Sequence, residues 1–318
     1  MSEKSVIFAR QIKCCSNFFT ERGEAGGVCS SNLDSAHAME LRTQELTRYI
    51  LPLREGGSLP GLAEADDGFR YAVKFKGAGH GAKGVVAELI GGLVAKALKF
   101  NVPEYVLLRL NPLFGITEPD IEVQELLKKS EGTNLGLHFL DGAYTFEPTA
   151  YNTDPLFASK LVWLDAFLTN IDRTRLNPNL MIWNGDVWLI DHGASLYFHH
   201  SGKDPLLAAK DPFPHIKNHI MLPYASKLEE ADKIMRQSIT PRTLSKIVDL
   251  IPDEWLQEEP VIGIVGDEYV MPSADVDSSA STSIAAKRDV YRQFLTARLA
   301  DTTPFVSRAI EERKKLGY

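Results

Sequence analysis

A hairpin centred on Asn184-Gly185 constrains the fold of this chain more than any other stretch. Two apolar runs, LMIW and VWLI, flank the dipeptide, and Asn-Gly between such runs is the strongest short-range signal for a β-hairpin. A two-residue loop fixes the strand register, so Leu180 is predicted to face Leu189. The register also determines which side chains meet beyond the strands.

Polar side chains gather at the open end of this hairpin. The register places Asn177, Asn179 and Asp191 there, and Asp172 lies five residues upstream of Asn177 in the loop that feeds the first strand. Opposed residues in a hairpin are roughly 5 Å apart. Two carboxylates and an amide oxygen in one place suit a hard cation such as Mg²⁺.

Length, charge and cysteine content narrow the class of protein. The chain has 318 residues, enough for one large or two small domains. Its net charge of -7 gives no overall attraction to nucleic acid or anionic membranes. The three cysteines lie near the start of the sequence and form neither a disulfide framework nor a zinc pattern. With no signal peptide and no long apolar run, we expect a cytoplasmic protein that binds neither membrane nor nucleic acid directly.

The first part of the chain is predicted to be rich in strands. Residues 1–40 lack clear periodicity and are expected to form a flexible extension. Strands are predicted at RYILPLRE and FRYAVKFKG, and the Gly56-Gly57-Ser58 turn between them can present backbone N–H groups to an anion. Residues 77–84, GAGHGAKG, are expected to be irregular because four of them are glycine.

A helix is predicted over residues 85–100, and Glu88 stands near its start. The face of Glu88 also carries Gly91 and Gly92, which permit close approach to a neighbouring sheet. Because an unpaired buried carboxylate is costly, Glu88 needs a cation, and Lys74 in the preceding apolar strand is the nearest candidate. A solvated glutamate and an edge-strand lysine remain the alternative interpretation.

The next predicted elements are a strand (EYVLLRLN), a helix (EPDIEVQELLKKS) and an extended stretch (GTNLGLHFL). Helices dominate the remainder of the chain. A helix capped by Asp154-Pro155 then ends at Asn170 and delivers Asp172 to the hairpin. An acidic, serine-rich stretch at 258–281 is expected to be a surface excursion. Later helices are predicted at 226–237, 240–250, 283–300 and 303–315.

The order of polar residues along the chain suits phosphoryl transfer. A glycine turn, a strand lysine, a helix glutamate, an aspartate with an asparagine five residues later, and an Asp-x-Gly follow one another, as ATP-dependent kinases require. On REGGSLP, YAVKFKGAG, the AEL around Glu88, NIDRTRLNPN and WLIDHG, the sequence resembles the HipA-like kinase family over roughly residues 41–225. The resemblance implies an α+β, two-lobed protein kinase-like fold. Its expected parts are the extension at 1–40, a small β-rich N-lobe with one main helix at 41–140, and a larger, mostly helical C-lobe at 141–318.

The resemblance also implies roles for the site residues. Lys74 would grip the α- and β-phosphates of ATP and pair with Glu88. Asp172 would be the catalytic base, and Asn177 and Asp191 would bind Mg²⁺. The loop containing Gly56, Gly57 and Ser58 would cover the phosphates, and Ser58 is a candidate for self-phosphorylation.

Departures from the ordinary kinase pattern leave the acceptor open. There is no His-Arg-Asp, no Gly-x-Gly-x-x-Gly and no Ala-Pro-Glu, and the Asp-Phe-Gly position reads Asp-His-Gly. Residues 1–40 cannot supply the additional N-terminal subdomain of HipA toxins, which weakens the case for an antitoxin-type partner. A protein serine/threonine kinase is the first hypothesis. A kinase of small molecules or lipid head groups, and a catalytically weak nucleotide-binding pseudokinase, are the alternatives.

Two further sets of residues are given structural interpretations. Arg173 is expected to pair with a neighbouring acid rather than to stabilise developing charge. The histidines of the second half are irregularly spaced, with no cysteine nearby, so we expect loop and core histidines rather than a zinc site. They are His192, His199, His200, His215 and His219.

Overall fold

The structure, a computed structural model, describes residues 40–53, 60–79, 81–116, 118–151, 153–257, 263–265, 268–270 and 283–317. These residues form a mixed α+β fold with a β-rich first half and a mainly helical second half, which confirms the expected fold class at this level. The expected extension, apart from Glu40, lies outside the described residues, as does the Gly56-Gly57-Ser58 turn. Both therefore stay predictions.

Five strands of the first half close into a barrel, in the order β1-β2-β3-β5-β4. Strand β1 closes it, because its first residues pair in parallel with β4 while the rest of the strand pairs antiparallel with β2. The extended stretch predicted at GTNLGLHFL is confirmed as β5, which lies between β3 and β4. The strands are β1 (Arg42–Pro52), β2 (Gly61–Ala65), β3 (Arg70–Lys74), β4 (Tyr105–Leu110) and β5 (Gly132–His138).

Strand β2 was not predicted from the sequence. The strand has only five residues, GLAEA. Gly, Ala and Glu all have low strand propensity. Pairing with β3 stabilises it, with Leu62 opposite Ala72 and Ala63 opposite Tyr71. Tertiary context therefore decides the conformation of this stretch.

Helix α1 (Gly81–Ala97) lies between the barrel and the helical half of the molecule. All residues from Val85 to Ala95 are buried, so the helix is enclosed on every side rather than presenting a single apolar stripe. The expectation of irregular structure over residues 77–84 was wrong for its last four residues, which begin this helix. Packing of the buried turns that follow outweighs the low helix propensity of its glycines.

The helical half is built around α3 (Pro155–Leu168). Asp154 caps this helix through hydrogen bonds from the backbone N–H groups of Leu156 and Phe157, as the Asp-Pro pair predicts. Residues 161–168 are all buried. The other helices are α2 (Ile121–Lys129), α4 (Phe198–Ser201), α5 (Pro205–Ala208), α6 (Leu228–Ser238), α7 (Pro241–Asp249), α8 (Asp253–Leu256), α9 (Ile284–Ala300) and α10 (Thr303–Lys315), with short 3₁₀ helices at Pro214–Asn218 and Leu222–Tyr224.

The predicted hairpin is confirmed with its register. Leu180 lies opposite Leu189 and Met181 opposite Trp188, and the turn residues Asn184 and Gly185 both have positive φ. A short strand, β6 (Tyr144–Thr145), extends the sheet formed by β7 (Leu180–Trp183) and β8 (Asp186–Leu189). Within the predicted surface excursion, the described residues form a pair of strands, β9 (Gly263–Val265) and β10 (Glu268–Val270).

Two apolar cores organise the packing. One fills the barrel and includes Tyr71, Val73 and Leu108. The other joins α1, α3 and the C-terminal helices, and it also contains Leu135 and Leu137 of β5. Strand β5 thus connects the barrel to the helical half. Among the helices of the described ranges, none is long and apolar enough to cross a membrane.

Candidate active site

Lys74, at the end of β3, lies between two carboxylates that come from different elements. Its Nζ is 2.8 Å from Oδ1 of Asp191, which follows the hairpin, and 3.8 Å from Oε2 of Glu88 on α1. The side chains of Lys74 and Glu88 are 12% and 1% exposed, whereas that of Asp191 is 31% exposed. The lysine therefore joins the barrel, the helix and the hairpin, with Asp191 as its closer and more accessible partner.

Glu88 is fixed by two further hydrogen bonds. The backbone N–H of His192 donates to its Oε2 at 2.8 Å, and the hydroxyl of Tyr105 donates to its Oε1 at 3.0 Å. The close approach depends on the predicted small residues. A Cβ at Gly92 would lie 2.0 Å from the Tyr105 hydroxyl, and one at Gly91 would lie 2.6 Å from the Cβ of His192.

The charges of this group stabilise one another. Burial alone would lower the pKa of Lys74, but Asp191 and Glu88 together raise it above its usual value. Burial alone would raise the pKa of Glu88, but Lys74 and the contacts with His192 and Tyr105 lower it. The folded protein therefore holds a charged lysine and a charged glutamate in a mostly buried position.

Asp172 and Asn177 meet in the loop before the hairpin. Asn177 Nδ2 donates to Asp172 Oδ2 at 2.6 Å, and Asn179 Nδ2 approaches the same oxygen at 3.3 Å. The pKa of Asp172 is raised, mainly by burial and also by the nearby charge of Asp191, despite the opposing amide hydrogen bonds. A carboxylate with a raised pKa is a better proton acceptor than an ordinary surface aspartate. We refer to Lys74, Glu88, Asp172, Asn177 and Asp191 as the lysine cluster.

The donor atoms of the lysine cluster fit a magnesium ion that is bound together with phosphates. Because Asn177 uses its Nδ2 toward Asp172, its Oδ1 is left as an acceptor, and no donor among the described residues hydrogen-bonds to it. No group of three or more His, Cys, Asp or Glu in the described residues is arranged to hold a metal. Mg²⁺ does not require one, since it often takes one or two protein carboxylates and completes its shell with water and phosphate oxygens.

A second charged group lies beneath the loop that carries Asp172, and it is buried. Asp165 on α3 receives hydrogen bonds from Arg173 Nε at 2.6 Å, from Asn170 Nδ2 at 3.0 Å and from His219 Nε2 at 2.8 Å. Burial alone would raise the pKa of Asp165, but Arg173 and His219 lower it. Arg173 also donates to the backbone carbonyl of Asn179. We refer to Asp165, Asn170, Arg173 and His219 as the Asp165 cluster.

The structure brings most of the predicted site residues together and adds others. The interpretation of Arg173 as a partner of a neighbouring acid agrees with its buried pair to Asp165. Tyr105 and Asp165 were missed by sequence reasoning. A signal for Asp165 was present, because it is an isolated charge within the apolar run LVWLDAFL. Nothing local marked Tyr105, whose contact with Glu88 depends on packing of distant elements.

Comparisons with known proteins identify the family of this chain. The family model described as HipA-like kinase matches residues 47–267, more than half of the chain. Among solved structures, the Helicobacter pylori proinflammatory kinase CtkA aligns with a TM-score of 0.48 and 13% sequence identity, over 87% of this chain and 99% of that chain. A comparison with curated proteins gave no match. Because the family model matches more than half of the chain, including the lysine cluster and the hairpin, this chain belongs to the HipA-like kinase family.

Proposed function

We propose that the protein is a protein serine/threonine kinase that transfers the γ-phosphoryl group of Mg²⁺-ATP to a hydroxyl. The observation that carries the proposal is the position of Lys74 Nζ, 2.8 Å from Asp191 and 3.8 Å from Glu88. A lysine held by a helix glutamate beside a metal-binding aspartate is the arrangement that ATP-dependent phosphoryl transfer requires. Residues 41–140 and 141–318 would form the two lobes, with ATP between them.

Each residue of the lysine cluster has a role in this proposal. Lys74 binds the α- and β-phosphates, and Glu88 keeps its ammonium group in place. Asn177 and Asp191 would hold Mg²⁺, which would supply positive charge to the phosphates. The carboxylate of Asp172 takes the proton of the acceptor hydroxyl while the oxygen of that hydroxyl bonds to the γ-phosphorus. The bond from that phosphorus to the β,γ-bridging oxygen breaks, and ADP leaves.

The surroundings of Asp172 favour a polypeptide acceptor. Residues 194–219 form a segment anchored on both sides of this aspartate. At its start, Ile171 N–H donates to the carbonyl of Ala194 at 3.4 Å, and just beyond its end Ile220 N–H donates to the carbonyl of Arg173 at 3.1 Å. The segment therefore contacts the residues on both sides of Asp172, the proposed base. Such a surface suits an extended polypeptide acceptor.

Exposed apolar side chains on this surface point to the same class of acceptor. Leu176, between Asp172 and Asn177, is 98% exposed, and Tyr197, Leu206 and Leu207 are exposed on the anchored segment. Exposed large apolar residues close together often mark sites of protein contact. Tyr197 also lines a pocket of about 180 Å³, together with Phe198, Phe213 and Phe294, which is large enough for one side chain of a bound peptide.

The proposal is tested with radiolabelled ATP. We expect the purified protein with [γ-³²P]ATP and a cell lysate to label itself or a discrete protein band. Asp172→Ala should reduce transfer by about 10²- to 10⁴-fold while ATP binding remains nearly intact. Asp191→Ala should weaken Mg²⁺-ATP binding as well, and Asp186→Ala, at an exposed aspartate of the same hairpin, serves as the matched control.

The other outcomes identify the alternatives. Label found only in small molecules or lipids would favour a small-molecule or lipid head-group kinase. ATP-dependent thermal stabilisation that survives EDTA, without any transfer, would favour a pseudokinase. Equal transfer by wild type and both site variants would contradict the site assignment. Mapping of self-label would test Ser58, which lies outside the described residues.

A further inference from the structure

The chain that leaves β5 after His138 connects the barrel to the helical half. A second connection is made by contacts of helix α8, much later in the chain. On the short helix α8, the carboxylate of Glu254 contacts Lys76 Nζ and accepts the backbone N–H of Thr133 at 3.1 and 3.2 Å. The neighbouring Trp255 donates its Nε1–H to the carbonyl of Thr133 at 2.7 Å. Both backbone groups of Thr133 are thus bound by adjacent residues of α8. We call Lys76, Thr133, Glu254 and Trp255 the strand clamp.

On its barrel side, the strand clamp is held by hydrogen bonds from two backbone N–H groups. The N–H of Lys76 donates to Asn134 Oδ1 at 3.0 Å, and the N–H of Gly77 donates to Ser130 Oγ at 3.1 Å. Both Asn134 and Ser130 are fully buried. The loop that follows Lys74 is therefore held from inside the barrel, and Glu254 holds it from the helical half.

Gly132 shows how closely the two halves fit here. Its φ is +91°, and a Cβ at this position would lie 2.3 Å from Glu254 Oε1. Only glycine adopts this conformation without strain, and a larger residue would also displace the Glu254 carboxylate from its present position. The contact therefore involves the backbone of the barrel as well as the side chains of Lys76 and Glu254.

The strand clamp and the chain connection bind opposite ends of β5. The clamp holds Thr133 near the start of the strand, and the chain leaves the barrel after His138. Five residue steps of about 3.3 Å separate these points by roughly 17 Å. Two attachments at this distance oppose rotation of the barrel about a single hinge. The other side of α8 is also fixed, because Arg288 of α9 donates to Asp253 Oδ1 at 2.6 Å.

We propose that Glu254 is a positioning residue that keeps the barrel and the helical half in one relative position before ATP binds. By holding the loop after Lys74, it keeps the lysine opposite Asp191 in the empty protein. The role rests on the proposed kinase function, because it is defined by ATP affinity. If only a fraction of molecules has the competent geometry, the apparent Kd rises by the inverse of that fraction. Once ATP is bound, the competent geometry is restored, so kcat should change little.

The test combines ATP affinity, turnover and hydrogen exchange in the full-length protein. We expect Glu254→Gln to raise the Kd for a non-hydrolysable ATP analogue with Mg²⁺ by about tenfold, with kcat at saturating ATP changed less than about twofold. Without nucleotide, amide hydrogen exchange in residues 133–138 should become faster. The matched control is Asp253→Asn. Its partner Arg288 lies within the helical half and also donates to the carbonyl of Ile251, so α8 stays attached in this variant. The variant should leave both Kd and exchange at wild-type values even if it lowers Tm.

Each outcome decides the proposal. Unchanged exchange in Glu254→Gln would show that the clamp does not restrain β5, and faster exchange with unchanged Kd would show that it restrains β5 without positioning Lys74. If Glu254→Gln fails to fold, Trp255→Phe removes a single hydrogen bond to Thr133 and should shift Kd and exchange in the same direction. A wild-type protein that binds no ATP would contradict the proposed function and with it the positioning role. The exchange measurement would then still decide whether the clamp restrains β5.

Discussion

The lysine cluster and the Asp165 cluster are both built from charged side chains, but they differ in how far their charges are buried. Asp165 receives three hydrogen bonds at 3.0 Å or less, and the side chains of Arg173, His219 and Asp165 are almost completely buried. Lys74 instead contacts two carboxylates: Asp191, which is close and partly exposed, and Glu88, which is more distant and buried. Removal of one partner of a buried, paired carboxylate such as Asp165 costs stability. A charged group whose partner is partly exposed can exchange that partner for a ligand.

Arg173→Met tests the structural side of this comparison and should have the largest effect. Removing one partner of a buried ion pair leaves Asp165 undercompensated, so we expect the free energy of unfolding to fall by about 3–5 kcal/mol. Urea denaturation measures the loss. Arg175→Met, at an exposed arginine two residues later, should stay within about 0.5 kcal/mol of wild type. Equal midpoints for the two variants would contradict a structural role for the Asp165 cluster.

Lys74→Met tests the functional side. We expect phosphoryl transfer to fall by about 10²- to 10³-fold, because a preorganised cation is lost from the place where the phosphates bind. Stability should fall less than in Arg173→Met, since Asp191 can turn to solvent and Glu88 keeps its bonds from Tyr105 and His192. The measurements are the rate of ³²P transfer and the urea midpoint, with the exposed Lys96→Met as control. A wild-type rate of phosphoryl transfer in Lys74→Met would contradict a functional role for the lysine cluster.

The pH dependence of stability gives a smaller effect. The pKa of Asp165 is lowered in the folded protein from its ordinary 3.8, so its stabilising contribution is complete above that value and is lost as the pH falls through the folded pKa. Below about pH 4, each such group makes stability fall by at most about 1.4 kcal/mol per pH unit. Asp165→Asn should therefore be less stable than wild type at pH 7 and show a shallower decline on acidification. Urea unfolding at pH 7, 5, 4 and 3 measures this, and Asp186→Asn should retain the wild-type slope.

Local sequence signals predicted the parts of the fold that local physics determines. The register of the hairpin follows from one Asn-Gly turn, and the cap at Asp154 follows from an Asp-Pro pair. The small face of α1 correctly indicated a close approach around Glu88. The sequence could not indicate that Lys74 would lie closer to Asp191 than to Glu88, since that difference depends on how three elements pack.

The contacts that were missed join residues far apart in the chain. Asp165 and His219 are separated by 54 positions, and Lys76 and Glu254 by 178. No periodicity or turn chemistry encodes such pairs. Strand β2 was missed for a related reason, because its weak local preference is overruled by its two neighbours in the barrel.

Closure of the barrel has a consequence for how other proteins reach this half of the molecule. Each of the five strands pairs with two others, so the described barrel has no terminal strand. Strand β1, however, pairs with β4 only over Arg42–Glu45 and with β2 only from Leu46 to Pro52. An open sheet can be extended by a strand from a partner or from a second unfolded chain. Here that route is limited to partly paired stretches, such as the part of β1 from Leu46 to Pro52. Aggregation through an added strand would use such a stretch or require the barrel to open.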